Sequence, residues 1–230
     1  MTGYGGCASC EGRCCREYLV PVSGFDLVRL AGRTGLAPEE FVVLVRVEEV
    51  ADGLPGGEGA RLTGDGPLLS MVLDRREDEA CVFLATMPTG RARCGVYDSR
   101  PLVCAVFPFE FRRGGVAPRE DASCGTGSWN LATIDLAAKR AQVLRSEAEW
   151  AIHRIVIASW NELVAASHPR LFSPAELFGY LLAAYERIDE LRAATGDFDR
   201  LVLAWGRADS AGFLRAVASM LDGWLGPGDG

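Results

Sequence analysis

All eight cysteines of the chain fall at or before position 124. The first four make up Cys7-Ala8-Ser9-Cys10-Glu11-Gly12-Arg13-Cys14-Cys15, a C-x2-C-x3-C-C run, and Cys81, Cys94, Cys104 and Cys124 follow singly. Thiols gathered into one half of a chain serve either a disulfide framework or a metal held by thiolates. The stretch from Met1 to Gly6 carries neither a basic region nor an apolar region of the kind that directs export. No uninterrupted apolar run approaches the roughly 18 residues that a membrane span needs. The expectation is therefore a cytoplasmic protein with no membrane contact, where thiols stay reduced and clustered cysteines hold metal.

The donor set narrows the metal. The only two histidines, His153 and His168, lie beyond Cys124 and read as ordinary helix and helix-end residues. A ligand set made only of sulfur selects zinc, copper(I) or an iron–sulfur cluster over hard, oxygen-seeking cations. A C-x2-C turn lets Cys7 and Cys10 converge on one ion. Cys14 and Cys15 are adjacent, so their side chains are expected to diverge, one of them facing a second metal position. Eight thiols allow two four-sulfur sites or one site with four bystanders, and spacing leaves both open. Arg13, Arg16, Arg91, Arg93 and Arg100 flank these positions, as charge compensation of an anionic thiolate centre requires.

The elements that position these residues follow from punctuation and periodicity. Of 27 glycines, 19 lie at or before Gly127, and 8 of 11 prolines lie at or before Pro118. Such a segment builds short strands and helices joined by loops. The predicted class is α+β: a loop-rich cysteine-cluster domain over residues 1–127, then a helical region over 128–230. Leu19 to Val22 reads as a short strand. Ser23 with Asp26 three residues on resembles a capping box that opens a helix burying Phe25, Leu27, Val28 and Leu30, with Gly35 closing it. Pro38 followed by two glutamates predicts a second short helix with Phe41, Val42 and Val45 inward. Gly53 to Gly66 reads as an exposed loop, and Leu68 to Leu73 with Cys81 to Leu84 as a hairpin. Tyr97 to Pro101 predicts a turn into a short helix carrying Cys104. A strand pair is expected near Phe109 to Arg112 and Val116 to Arg119. Apolar spacing then predicts two or more helices between Leu131 and Ala166, and others near 174–191 and 199–225, with the five tryptophans packed between them.

Composition bounds function. With 230 residues and 49% apolar content the chain can bury a sizeable core, and a net charge of −7 opposes nucleic-acid binding. No phosphate-binding loop, dinucleotide fingerprint, nucleophile elbow or H-E-x-x-H motif is present.

The cysteine run, with Cys81-Val-Phe-Leu, Cys94-Gly-Val-Tyr-Asp-Ser-Arg-Pro-Leu-Val-Cys104-Ala-Val-Phe-Pro-Phe109 and Cys124, resembles the YkgJ-like cysteine-cluster family. The resemblance covers roughly residues 7 to 125, and Ala105 departs from the arginine that many members carry. It implies a zinc- or iron-chelating domain, typically bacterial, often counted among iron–sulfur proteins. All eight cysteines are then candidate ligands, with an iron–sulfur cluster of the 4Fe-4S type ahead of zinc, in a structural or electron-transfer role. Flagellin lysine methylases among related proteins imply a methyltransferase-like enzyme as one alternative. A zinc-stabilised module that binds a protein partner through its helical region is another.

Overall fold

The computed structural model describes residues 11–50, 59–88, 91–112, 115–124, 132 and 134–195. Five helices and six strands run through them: α1 (Cys14–Glu17), α2 (Gly24–Thr34), β1 (Val42–Arg46), β2 (Leu69–Leu73), β3 (Leu84–Thr86), β4 (Ala92–Cys94), α3 (Leu102–Val106), β5 (Phe109–Arg112), β6 (Gly115–Pro118), α4 (Leu136–Ala166) and α5 (Pro174–Thr195). The strands form three two-stranded sheets, β1 with β2, β3 with β4 and β5 with β6, so the class is α+β as expected. The chain divides into two compact units. One comprises Met1–Val22, Arg29–Val43 and Val72–Ser146, and the other Ser23–Val28, Leu44–Met71 and Glu147–Gly230.

Local chemistry explains most element boundaries. The Ser23 amide donates to the Asp26 carboxylate at 2.8 Å and the Asp26 amide to the Ser23 hydroxyl at 3.3 Å, so two amides at the start of α2 are satisfied reciprocally. Gly35, at φ +72°, takes the left-handed conformation that ends the helix at no steric cost. The helix expected after Pro38 is instead a single 3-10 turn, Pro38–Glu40, and Val42–Arg46 is a strand. Three valines in four positions stiffen the side-chain torsions and favour the extended backbone.

The hairpin expected between Leu68–Leu73 and Cys81–Leu84 is likewise redrawn. β2 pairs with β1 and β3 pairs with β4, and the Cys81 segment meets only the residues just after β2, in the bridge between Arg75 and Cys81 and the bond from the Val82 amide to the Asp74 carbonyl. The intervening turn is too tight for a longer ladder: Glu79 sits at φ +61° and the Arg76 amide bonds the Ala80 carbonyl at 2.8 Å. Leu19 to Val22 makes one bridge, Pro21 to Val72, rather than a strand. β5 and β6 form the expected antiparallel pair, Phe109 opposite Pro118.

The second unit is built on α4 from Glu147 onward and on α5. One continuous 31-residue helix replaces the two or more expected, and Ser173 caps α5 through a second reciprocal pair with Glu176. Trp160, 1% exposed, meets Phe172 and Tyr180 edge-on or tilted at centroid distances of 5.1 and 5.2 Å. Leu177, Leu181 and Tyr185 are fully buried. Each such side chain contributes about 1.5–3 kcal/mol by leaving water. Trp150 is also buried, while Trp129, Trp205, Trp224 and the helix expected near 199–225 lie outside the described residues.

Part of the supposed exposed loop is held firmly in this unit. The Asn161 side chain accepts from the Arg61 amide at 2.8 Å and donates to the Gly59 carbonyl at 3.0 Å, and Trp160 Nε1 donates to the Arg61 carbonyl at 2.7 Å. With the antiparallel bridge between Ala60 and Leu69, these bonds satisfy the backbone of the segment, and Gly59 and Ala60 are buried.

Candidate metal centre

The six cysteines that the structure describes, Cys14, Cys15, Cys81, Cys94, Cys104 and Cys124, are all thiols rather than disulfide halves, and all fall in the first unit. Cys7 and Cys10, the expected first pair, lie outside the described residues.

Cys14 and Cys15 open the one-turn helix α1, and their sulfurs stand 4.0 Å apart. The divergence expected of adjacent side chains is thus not found. Helical backbone turns successive residues by about 100°, which leaves two long-bonded sulfurs within contact distance. The helix is fixed from outside by Arg75, whose Nη2 donates to the Arg16 carbonyl at 2.9 Å and the Tyr18 carbonyl at 3.2 Å, so its orphaned C-terminal acceptors are satisfied. Nothing in the sequence singles out Arg75, because its partners are backbone atoms some 57 residues away.

The remaining thiols reach this helix through short tethers. The Cys81 amide donates to the Cys15 carbonyl at 2.8 Å, and the Leu84 amide returns to the Cys81 carbonyl at 2.9 Å. Leu84 then pairs with Cys94 across β3 and β4. Gly12, at φ +78°, lies so close to this hairpin that a Cβ there would stand 3.0 Å from Leu84 and 3.1 Å from Ala92. Only glycine gives both the left-handed turn and the close approach that bring the first cysteine run against the hairpin.

Tyr18 ties in the last two thiols. Its ring lies 5.4 Å from that of Phe107, three residues after Cys104, and its hydroxyl accepts from the Ser123 amide at 3.1 Å, next to Cys124. At the far end of α3, the buried ammonium of Lys139 donates to the Ala105 carbonyl at 2.8 Å and to Gln142 at 3.0 Å. The sequence expectation that a turn at Tyr97 to Pro101 delivers Cys104 on a short helix is met by the 3-10 turn Tyr97–Ser99 followed by α3.

Electrostatics couple Cys14, Cys15, Cys81, Cys94 and Cys104 to one another. The Cys15 thiol is held well above the usual range by its hydrogen bond with Cys14, by burial, and by the charges of Cys14, Cys104 and Cys81. The same bond lowers Cys14 to about 7. Burial raises Cys81 and Cys94; Arg75 opposes the rise at the first and Arg100 at the second. Of the flanking arginines expected to compensate charge, Arg100 acts at a thiol, while Arg16 lies 3.6 Å from Asp78. Partly buried thiols that repel one another's ionisation are a set which a bound cation would stabilise, since metal binding and deprotonation are linked.

Among the described residues, no group of three or more His, Cys, Asp or Glu side chains is close enough to enclose an ion. Cys14 and Cys15 therefore need further donors drawn in, and Cys7 and Cys10 precede them by a few residues. The two histidines are not such donors. His153 is buried in the second unit against Tyr185, and His168 follows α4 there, beside Gly64. No described helix is long and apolar enough to cross a membrane.

No curated protein and no solved structure matches the chain. The pattern of one family, CxxCxxCC, described as "Putative zinc- or iron-chelating domain", matches residues 6–126. That span takes in all eight cysteines and more than half of the sequence. The chain belongs to this family of zinc- or iron-chelating cysteine-cluster domains.

Proposed function

We propose that the first unit wraps a thiolate-ligated metal centre drawn from Cys7, Cys10, Cys14, Cys15, Cys81, Cys94, Cys104 and Cys124, with an iron–sulfur cluster of the 4Fe-4S type as the first reading. The observation that carries it is the tethering of four cysteine-bearing segments, those of Cys81, Cys94, Cys104 and Cys124, to the turn that holds Cys14 and Cys15, with only sulfur offered as donor. Sulfur ligation in excess of four thiols, without imidazole or carboxylate, is the donor chemistry of iron–sulfur proteins. When bound, such a centre would cross-link loops that have little regular structure and would supply one-electron chemistry.

The Cys14–Cys15 separation favours a second reading, a zinc ion. Two thiolates on one tetrahedral zinc at about 2.3 Å stand roughly 3.8 Å apart, close to the 4.0 Å found. In a cubane each cysteine takes its own iron, and the sulfurs stand farther apart. Purification without oxygen followed by iron, zinc and sulfide analysis decides between them. A brown protein absorbing near 400 nm with iron and sulfide establishes the cluster, and a colourless protein with stoichiometric zinc establishes the ion. A preparation holding neither element overturns the proposal.

A further inference from the structure

A pocket of about 300 Å³ opens in the first unit beside α3, on residues that hold no thiol. Its floor is Leu102 and Ala105, three positions apart and so on one face of that helix. Its polar lining brings Arg29 of α2, Arg100 and Arg145 of α4 together with Ser99 and Gln142. Asp98 is the one carboxylate among them. Three guanidiniums and one carboxylate thus line one concavity, on a chain whose net charge is −7. Like charges gathered at a concave surface repel one another, and an anion between them removes that repulsion.

Arg100 is set in place for such a ligand. Its guanidinium stacks on the Tyr97 ring at 3.7 Å and its Nη1 donates to the Tyr97 carbonyl at 3.1 Å, which fixes the plane of the fork. Its Nε is buried with no hydrogen-bond partner. A planar fork with an unused donor matches the oxygens of a carboxylate or phosphate, the groups that arginine binds through paired bonds. The volume lies at the small end of ligand pockets, which excludes a polymer and fits a compact molecule.

We propose that this pocket is an oxyanion site that takes a small carboxylate or phosphate compound. It goes beyond metal binding and does not depend on which ion the thiols hold. It nevertheless lies close to them, since α3 carries both the pocket floor and Cys104, and Arg100 also favours the thiolate form of Cys94.

The test is titration calorimetry on the full chain, isolated with its metal, using inorganic phosphate and malonate as probes at one fixed ionic strength near 0.15 M. Saturable one-to-one binding of either probe is expected, and the tighter of the two assigns the ligand as phosphate or carboxylate. Arg29→Gln and Arg145→Gln should each weaken that binding at least tenfold, with metal content and circular dichroism unchanged. Arg145 is exposed, so its variant carries the test if the other fails to fold. Absence of saturable heat from both probes, or equal affinity in wild type and Arg145→Gln, would overturn the proposal.

Discussion

Acidification from pH 7 to pH 5 should cost the second unit about 2 kcal/mol through His153 alone. The imidazole is 6% exposed, and its Nδ1 accepts from the Gly24 amide at 3.4 Å and lies 2.9 Å from the Tyr185 hydroxyl. Because Nδ1 accepts, the neutral ring carries its proton on Nε2. Burial first, and then the charge of Arg154, lower the histidine to about 3 in the folded chain, against roughly 6.5 when unfolded. A depressed histidine means that the unfolded state binds the proton first. The contribution is intact above about pH 6.5 and is lost as pH falls toward 3. Integration between these limits gives about 2 kcal/mol by pH 5 and about 4 kcal/mol by pH 3.

The groups that could alter this result are few. Glu149 lies one turn earlier on α4, Asp26 belongs to α2, and Tyr185 and Arg192 belong to α5, with both carboxylates 1% exposed. The assay is urea unfolding at pH 7, 6 and 5, followed by tryptophan fluorescence, to which Trp150 contributes from its place edge-on to the imidazole at 5.2 Å. Wild type should lose about 2 kcal/mol more than His153→Gln across that range, and thiol or metal titrations cancel in the comparison. Equal losses in the two proteins would refute the reasoning and assign the imidazolium a carboxylate partner, Glu149 being the nearest in sequence.

Gly24→Ala should lower stability by about 3 kcal/mol in thermal unfolding, because the added Cβ would fall 1.8 Å from the Tyr185 ring, and a neutral outcome would mean that α5 can shift. Tyr18→Phe removes the acceptor for the Ser123 amide while keeping the stack on Phe107; a loss of about 1 kcal/mol and faster proteolysis near Cys124 are expected, read by limited digestion and mass spectrometry. Chelation at neutral pH should expose the first unit to protease before the second, since structural thiolate sites contribute about 10–16 kcal/mol in small peptides, and unchanged digestion after full metal removal would contradict a structural role.

The parts of this fold legible in the sequence are those governed by neighbours in the chain. The Ser23–Asp26 capping pair, the closing glycine at position 35, the turn before Cys104 and the β5–β6 pair each depend on a few contiguous residues, and each is found. Where long-range pairing decides, local reading fails. β2 chooses β1 over the nearer Cys81 segment, and Val42–Arg46 becomes a strand because a partner is available. At the candidate site, residue types identify the donors, but Arg75, Tyr18 and Gly12 act through backbone groups or close approach and leave no signature. The Cys14–Cys15 contact likewise depends on a single helical turn that four residues do not announce. The buried group of Asp26, Glu149, His153 and Tyr185 is missed for the same reason, since it joins three helices far apart in the chain.

Lys139 is the only lysine in the sequence, and its nitrogen is engaged by Ala105 and Gln142 beneath the surface. Amine-directed acylating reagents therefore find no ready side-chain target on the folded protein. Modification at that one position becomes a clock for local opening around the end of α3, readable as a mass increment on the peptide that carries Lys139, without any introduced probe.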